Sequence, residues 1–145
     1  MKHFLFLIAF SAILFAEKSK AQNTLVSEAV KTSFYNSFSN STKVTWTEIK
    51  GIYRADLTIA NSPVTVFYNM EGEMIAVAKY VNVGDLSLSL KNDLQAKSND
   101  LELKEIFQVS NDESSNYYAT LENEEKIIVL VSEGKHWNVF RKINK

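Results

Sequence analysis

The chain lacks cysteine altogether and has little of several other residues on which protein chemistry depends. Its 145 residues include two histidines and four glycines. Without cysteine, the chain forms neither a disulfide framework nor a thiolate metal site, and it cannot be lipidated at a signal-peptide cysteine. It has no run or stripe of basic residues, so nucleic acid is not an expected partner. None of the glycines lies in a phosphate-binding loop.

A short apolar run near the N-terminus predicts a signal peptide. Residues 4–16 (FLFLIAFSAILFA) follow the basic Lys2 and are too few to span a bilayer comfortably. Ser19 and Ala21 then place small residues at the two positions that signal peptidase reads. We therefore predict a signal peptide over residues 1–21, cleavage before Gln22, and a periplasmic or extracellular location. The alternative is a retained anchor, but no longer apolar run follows, so we expect no stable membrane insertion.

The mature chain offers few groups for catalysis. Cleavage removes three lysines and one glutamate, which leaves 13 basic residues (16 − 3), 16 acidic residues (17 − 1) and a net charge of −3. It also removes His3, so that His136 is the one histidine left. A hydrolase needs a nucleophile with a base in reach, and a zinc site needs three or four ligands. We therefore expect no enzymatic activity, no cofactor and no metal.

Two stretches have the spacing of helices. Apolar residues from Val26 to Phe38 follow the i, i+3, i+4, i+8 pattern of one helical face, with Asn23 or Thr24 as the expected cap. A second stretch carries leucines at i, i+4 and i+8 from Leu86 onwards, with Asp85 as its expected cap. Each stretch ends in a run of Ser, Asn, Thr or Asp residues that favours loops.

Four stretches of strand character follow each predicted helix, rich in β-branched and aromatic residues. They are residues 43–50, 52–59, 64–69 and 74–81, then 103–109, 117–122, 126–131 and 137–143. The mature 124 residues (145 − 21) suffice for one compact domain or two small repeats. We therefore predict an α+β fold made of a tandem repeat of a helix followed by a four-stranded antiparallel β-meander, over residues 22–82 and 83–145.

The stretch at residues 67–74 (FYNMEGEM) reads either as a cation site or as a turn, because Gly72 has an acid on each side. The matching residues 130–137 (LVSEGKHW) keep the glutamate–glycine pair but lose Asn69 and replace Glu73 by Lys135. A calcium loop needs several oxygen ligands held together. What both copies keep is the glycine, which can take the positive φ of a hairpin turn. The pattern therefore favours a turn.

Nearly all of the mature chain, and its first half most clearly, resembles a known family of exported proteins. The stretches that carry the resemblance are residues 44–48 (VTWTE), 51–57 (GIYRADL) and 66–73 (VFYNMEGE). They are similar to the PepSY-like, β-lactamase-inhibitor-like family of exported Bacteroidetes proteins, although Asn69 replaces the usual Asp and the second half has no counterpart of Trp46. The resemblance implies helices on antiparallel sheets. The true β-lactamase inhibitor binds its enzyme through the concave face of its sheets, but most PepSY-like relatives have no established activity, so the resemblance implies the fold and not inhibition.

Several predicted strands are apolar on both faces, whereas a half-solvated antiparallel sheet has one polar face. The pattern therefore predicts a cover for the second face, and the alternatives are the other repeat, another subunit or a partner. We therefore predict a non-enzymatic binding protein that engages a protein or peptide over a sheet face. Four aromatic residues are the candidate interaction surface: Phe67, Tyr80, Tyr118 and Trp137.

Two other functions stay open at this point. The first is a small-ligand carrier with a pocket between helix and sheet, and the aromatic residues that would line it are Phe34, Phe38, Trp46 and Tyr53. The second is an enzyme, which would require Asp56 or Glu48 to be desolvated in a cleft.

Overall fold

The computed structural model describes residues 25–38 and 43–145. The predicted signal peptide and the predicted caps Asn23 and Thr24 lie outside these residues. In chain order the elements are α1 (Glu28–Ser37), β1 (Val44–Ile49), β2 (Ile52–Ile59), β3 (Ser62–Tyr68), β4 (Met74–Tyr80), a 3₁₀ turn (Val83–Asp85), α2 (Leu88–Ser98), β5 (Glu102–Ser110), β6 (Ser115–Glu122), β7 (Lys126–Glu133) and β8 (His136–Asn144).

The eight strands form one continuous antiparallel sheet in the order β1 to β8. Strands β4 and β5 join its two halves, with pairs running from Val77–Ser110 to Tyr80–Phe107. The predicted fold, a tandem repeat of a helix followed by a four-stranded meander, is therefore wrong. The chain builds a single eight-stranded sheet with two α-helices in its described part. The β4–β5 ladder satisfies backbone groups that two separate meanders would each leave exposed at an edge.

Both helices pack on the same face of this sheet, in two separate apolar clusters. In the first, Val30 and Phe34 of α1 pack on helix-facing residues of β2 and β3, among them Ala55 and Val66. In the second, residues of α2 pack on β5 to β8, and its buried members are Leu86, Leu90, Leu94, Ile106, Ala119, Leu121, Leu130 and Trp137. The alternation of each strand places one set of side chains under the helices.

Each helix begins at a serine rather than at the predicted residue. The hydroxyl of Ser27 accepts a hydrogen bond from the Val30 amide at 3.3 Å, and that of Ser87 accepts one from the Leu90 amide at 3.4 Å. Asp85, the predicted cap of the second helix, instead ends the 3₁₀ turn. A serine side chain at this position satisfies one of the amides that a helix start leaves without a partner.

Residues 69–73 form the turn between β3 and β4. The backbone amide of Asn69 donates to the Glu73 carbonyl at 3.0 Å, and the Asn69 side chain both accepts from the Glu73 amide and donates to its carboxylate. Gly72 has a φ of +86°, and a Cβ at this position would lie 2.7 Å from the carbonyl oxygen of Ala29 in α1. The turn thus lies directly against the first turn of the helix.

Strand β8 is tied to α2 by Trp137. Its indole N–H donates to the Leu90 carbonyl at 2.9 Å, and its backbone amide donates to the Asp93 carboxylate at 2.7 Å. The indole is buried, so the first of these bonds satisfies a polar group that would otherwise be desolvated without a partner. These contacts hold the helix over the second half of the sheet.

Candidate functional site

The second face of the sheet, opposite the two helices, carries the side chains that alternate with the helix-facing ones. Phe67, for example, lies between the helix-facing Val66 and Tyr68. On this face Phe67, Ala76 and Ala78 form a third buried cluster, and partly buried residues pack around it: Ile49, Ile52, Ile75 and Val109. Apolar side chains therefore line both faces of β3 and β4, and those of the second face cover one another in part.

The structure places the four predicted interaction residues in different environments. Phe67 and Tyr118 lie on the second face but are buried, with exposed fractions of 0% and 4%. Trp137 is 1% exposed and belongs to the cluster under α2. Only Tyr80 is accessible, at 48%. Of the four, Tyr80 alone is thus accessible from outside, because alternation identifies the face on which a side chain lies but not how closely its neighbours cover it.

Tyr80 is an accessible residue of the second face at the end of β4, one of the two central strands of the sheet. Its ring stacks at a tilt on Phe107, with centroids 4.2 Å apart, and its hydroxyl donates to the Glu105 carboxylate at 3.1 Å. Desolvation, then the negative charge of Glu105 and the hydrogen bond to it, raise the pKa of Tyr80 above its usual value. The phenol therefore stays a neutral hydrogen-bond donor at physiological pH.

Arg54 and Asp56 lie near Tyr80 on the same face. The Arg54 guanidinium is 2.9 Å from the Asp56 carboxylate, which also accepts a hydrogen bond from the Thr65 hydroxyl at 2.6 Å. Arg54 lowers and Asp56 raises the pKa of Tyr80, so both charges are within electrostatic reach of the phenol. Asp56 is partly solvated, and Glu48 is exposed. Neither carboxylate is desolvated in the way that the enzyme hypothesis requires.

Sequence reasoning found Tyr80 but missed Glu105 and Phe107. Tyr80 and Glu105 are separated by 25 residues, and only the pairing of β4 with β5 brings them together. The alternation of β5 was the available signal, since it places Glu105, Phe107 and Val109 on one face. What the pattern lacks is any indication that β5 lies beside β4.

The aromatic residues of the proposed ligand pocket fill the space between α1 and the sheet. Phe34 stacks on Phe38 at 5.0 Å between centroids and meets Trp46 edge-on at 5.2 Å. Trp46 in turn contacts Tyr68 at 6.2 Å, and Tyr53 is buried in the same cluster. The four rings thus form part of a packed core, which argues against the carrier hypothesis.

Residues 25–38 and 43–145 contain neither a group of side chains suited to a metal ion nor a helix suited to cross a membrane. No group of three or more histidine or acidic side chains within these ranges is arranged to hold a metal ion. His136 is exposed, and its Nδ1 lies 3.9 Å from an Asp93 carboxylate oxygen. None of the helices described has the length and apolar character needed to cross a bilayer.

Several solved structures from Bacteroides species are similar to this chain in fold. A proposed periplasmic protein from Bacteroides eggerthii superposes with a TM-score of 0.72 at 14% identity, over 82% of this chain and 88% of that one. A DUF2874 family protein from Bacteroides ovatus gives a TM-score of 0.69 at 13% identity, with 81% and 86% covered. A BLIP-like protein from Bacteroides fragilis gives 0.63 at 15% identity, with 81% and 85% covered.

No family model matches the chain, and no curated protein matches it either. Identities of this size establish a common fold and nothing about activity. The chain therefore has the fold of these Bacteroides proteins, which include DUF2874 family members and a BLIP-like protein.

Proposed function

We propose that this protein is an exported, non-enzymatic binding protein of the PepSY-like, β-lactamase-inhibitor-like type. It binds a protein or peptide across the second face of its sheet. The observation that carries the proposal is the accessible Tyr80, stacked on Phe107 on a face on which neither described helix packs.

The composition of this face supports a protein partner. A large, rigid aromatic side chain with a polar tip is the commonest kind of binding anchor, because it buries much area and loses few rotamers. Partly buried apolar residues lie to one side of Tyr80, and the paired charges of Arg54 and Asp56 lie close by. An apolar centre beside polar groups is the usual anatomy of an interface.

Export is supported by the apolar run at residues 4–16 and by the fold that the chain shares with a proposed periplasmic protein. Expression of the full chain in a Bacteroides host, followed by N-terminal sequencing of the product, tests it. We expect a mature protein in the periplasmic or extracellular fraction that begins at Gln22. A product that keeps residues 1–21 and stays with the membranes would contradict export by this route.

Two tyrosines of nearly equal exposure provide a matched test of the binding face. Tyr80 is 48% exposed on the second face, and Tyr35 is 44% exposed on α1, on the other side of the sheet. A protein captured from the exported fraction of the host would be purified, and its Kd measured for the wild type, Tyr80→Ala and Tyr35→Ala. We expect Tyr80→Ala to weaken binding about tenfold or more and Tyr35→Ala to leave it nearly unchanged. Equal effects of the two variants would refute the proposed face.

Inhibition of a β-lactamase is one specific form of this proposal, suggested by the resemblance to the β-lactamase-inhibitor-like family. Titration of the purified protein against a panel of such enzymes tests it directly. No slowing of hydrolysis at about 10 μM protein, a concentration that would saturate a micromolar complex, would exclude this form and leave other protein partners open.

A further inference from the structure

The acidic side chains that the structure describes on the second face include Asp56, Glu102, Glu105 and Glu122, and three of these four pair with basic neighbours. Asp56 pairs with Arg54 at 2.9 Å, Glu102 with Lys104 at 2.7 Å, and Glu122 with Lys145 at 2.6 Å. The fourth, Glu105, accepts a hydrogen bond from Tyr80 instead. Among the ion pairs found within the described ranges, none includes Glu105. Its negative charge is therefore the least compensated of these four.

That charge adjoins an aromatic pair made of the exposed Tyr80 and the half-buried Phe107. The Tyr80 hydroxyl lies 3.1 Å from the Glu105 carboxylate, and the two rings lie 4.2 Å apart. A carboxylate beside an accessible aromatic ring is suited to a cationic side chain. The cation gains a charge-assisted hydrogen bond from the acid and an attraction to the negative face of the ring.

From this arrangement we infer that the Tyr80–Glu105 site binds a lysine or arginine side chain of the protein partner. The inference rests on the proposed function, because it specifies the chemistry of the partner at the same face. Arg54, which lies within electrostatic reach of Tyr80, does not occupy this role, since its guanidinium is engaged by Asp56. Neutralised in that way, Arg54 repels an incoming cation less than a free arginine would.

A pair of short peptides tests the inference without knowledge of the partner. The probes are Ac-Ala-Val-Arg-Val-Ala-NH₂ and the same peptide with citrulline, which keeps the shape of arginine but lacks its charge. Each would be titrated into the mature protein and followed by NMR. We expect shifts centred on Tyr80, Glu105 and Phe107, with the arginine peptide binding about threefold to fivefold more tightly, as for a solvent-exposed charge pair.

The variant Glu105→Gln keeps an acceptor for the Tyr80 hydroxyl and removes the charge. It should weaken the binding of the arginine peptide about threefold to fivefold, so that the two peptides bind with equal affinity. The control is Glu124→Gln, which removes the same charge from an exposed position in the turn between β6 and β7. Three outcomes would each overturn the inference. The two peptides could bind the wild type equally, the two variants could have equal effects, or about 10 mM peptide could cause no shifts at the site.

The captured partner separates this inference from the proposed function. If Tyr80→Ala weakens the binding of that partner and Glu105→Gln does not, the binding face is confirmed, and recognition of a basic side chain at the Tyr80–Glu105 site is excluded. If neither variant weakens it, the proposed face itself fails, and the peptide titration still decides whether the site binds a cation.

Discussion

Replacement of Gly72 by alanine should destabilise the protein more than the same replacement of Gly134. Both glycines have positive φ, +86° and +70°, so each substitution places an L residue in the left-handed region at about 1–2 kcal/mol. Only at Gly72 does the new Cβ also collide with backbone, 2.7 Å from the Ala29 carbonyl oxygen and 2.8 Å from its carbon. A Cβ added at Gly134 would have no atom within 4 Å apart from those of its chain neighbours.

The collision cannot be relieved by rotation of a side chain. Ala29 is in the first turn of α1, and the next residue, Val30, is fully buried beneath the helix. Moving this turn disturbs the core, for which overpacked sites typically lose about 1–3 kcal/mol. We therefore expect a loss of about 2–5 kcal/mol for Gly72→Ala and about 1–2 kcal/mol for Gly134→Ala. The entropy that alanine removes from the unfolded chain is similar at both sites and cancels in the comparison.

Urea unfolding followed by tryptophan fluorescence measures the difference. Both variants should unfold at lower urea than the wild type with unchanged slope, and Gly72→Ala at the lower concentration of the two. A further control is Glu71→Ala, an exposed neighbour in the same turn, which should change stability by less than about 0.5 kcal/mol. Equal losses for the two glycine variants would refute the argument that the turn braces α1. A large loss from Glu71→Ala would reopen the ligand interpretation of this turn.

Three further predictions concern Tyr68 and Trp137. The hydroxyl of Tyr68 is buried and has no hydrogen-bond partner in the described part of the chain. Tyr68→Phe should therefore raise the free energy of unfolding in urea by about 1 kcal/mol. A decrease in stability would mean that water bonds to this hydroxyl in solution. Burial also raises the pKa of Tyr68 from 10 to about 12, so the neutral phenol favours the folded state below pH 10, and that contribution of about 2–3 kcal/mol is lost as the pH rises from 10 to 12. Tyr68→Phe should therefore reduce the fall in the free energy of unfolding over this pH interval. An unchanged pH profile would contradict the assignment. Trp137→Phe removes the hydrogen bond from the indole to the Leu90 carbonyl and leaves a small cavity under α2. The free energy of unfolding, measured in thermal or urea unfolding, should therefore fall by about 2 kcal/mol. A change below about 0.5 kcal/mol would show that this hydrogen bond does not stabilise the packing of β8 on the helix.

Much of the local structure was predictable because its causes are local. The apolar alternation at residues 52–59 depends on the two-residue period of a strand, and the structure has β2 at Ile52–Ile59. The leucines from Leu86 depend in the same way on the period of a helix, although the cap is Ser87 rather than Asp85. Gly72 was predicted to take a positive φ, and the structure gives it one, because a tight turn restricts the backbone whatever surrounds it.

The candidate site was predictable only in part. Strand alternation predicts the sheet face on which Tyr80, Phe67 and Tyr118 lie, but burial depends on which neighbours cover each ring. Phe67 is covered by side chains from other strands, whereas Tyr80 stacks on Phe107 and is still 48% exposed. Trp137 carries the same chemistry and lies beneath a helix, since β8 places it on the opposite face.

The sequence by itself determined the alternation of strands and helices, the turn at Gly72 and the poverty of catalytic groups, because each follows from residue types and spacings along a short stretch. Only the tertiary structure decided that β4 pairs with β5, so that one eight-stranded sheet forms where two repeats had been predicted. That pairing also places Glu105 beside Tyr80 across 25 residues of chain. The physical reason is that backbone hydrogen bonds between strands carry no sequence code of their own, so which edges meet is settled by how the whole chain buries its apolar faces.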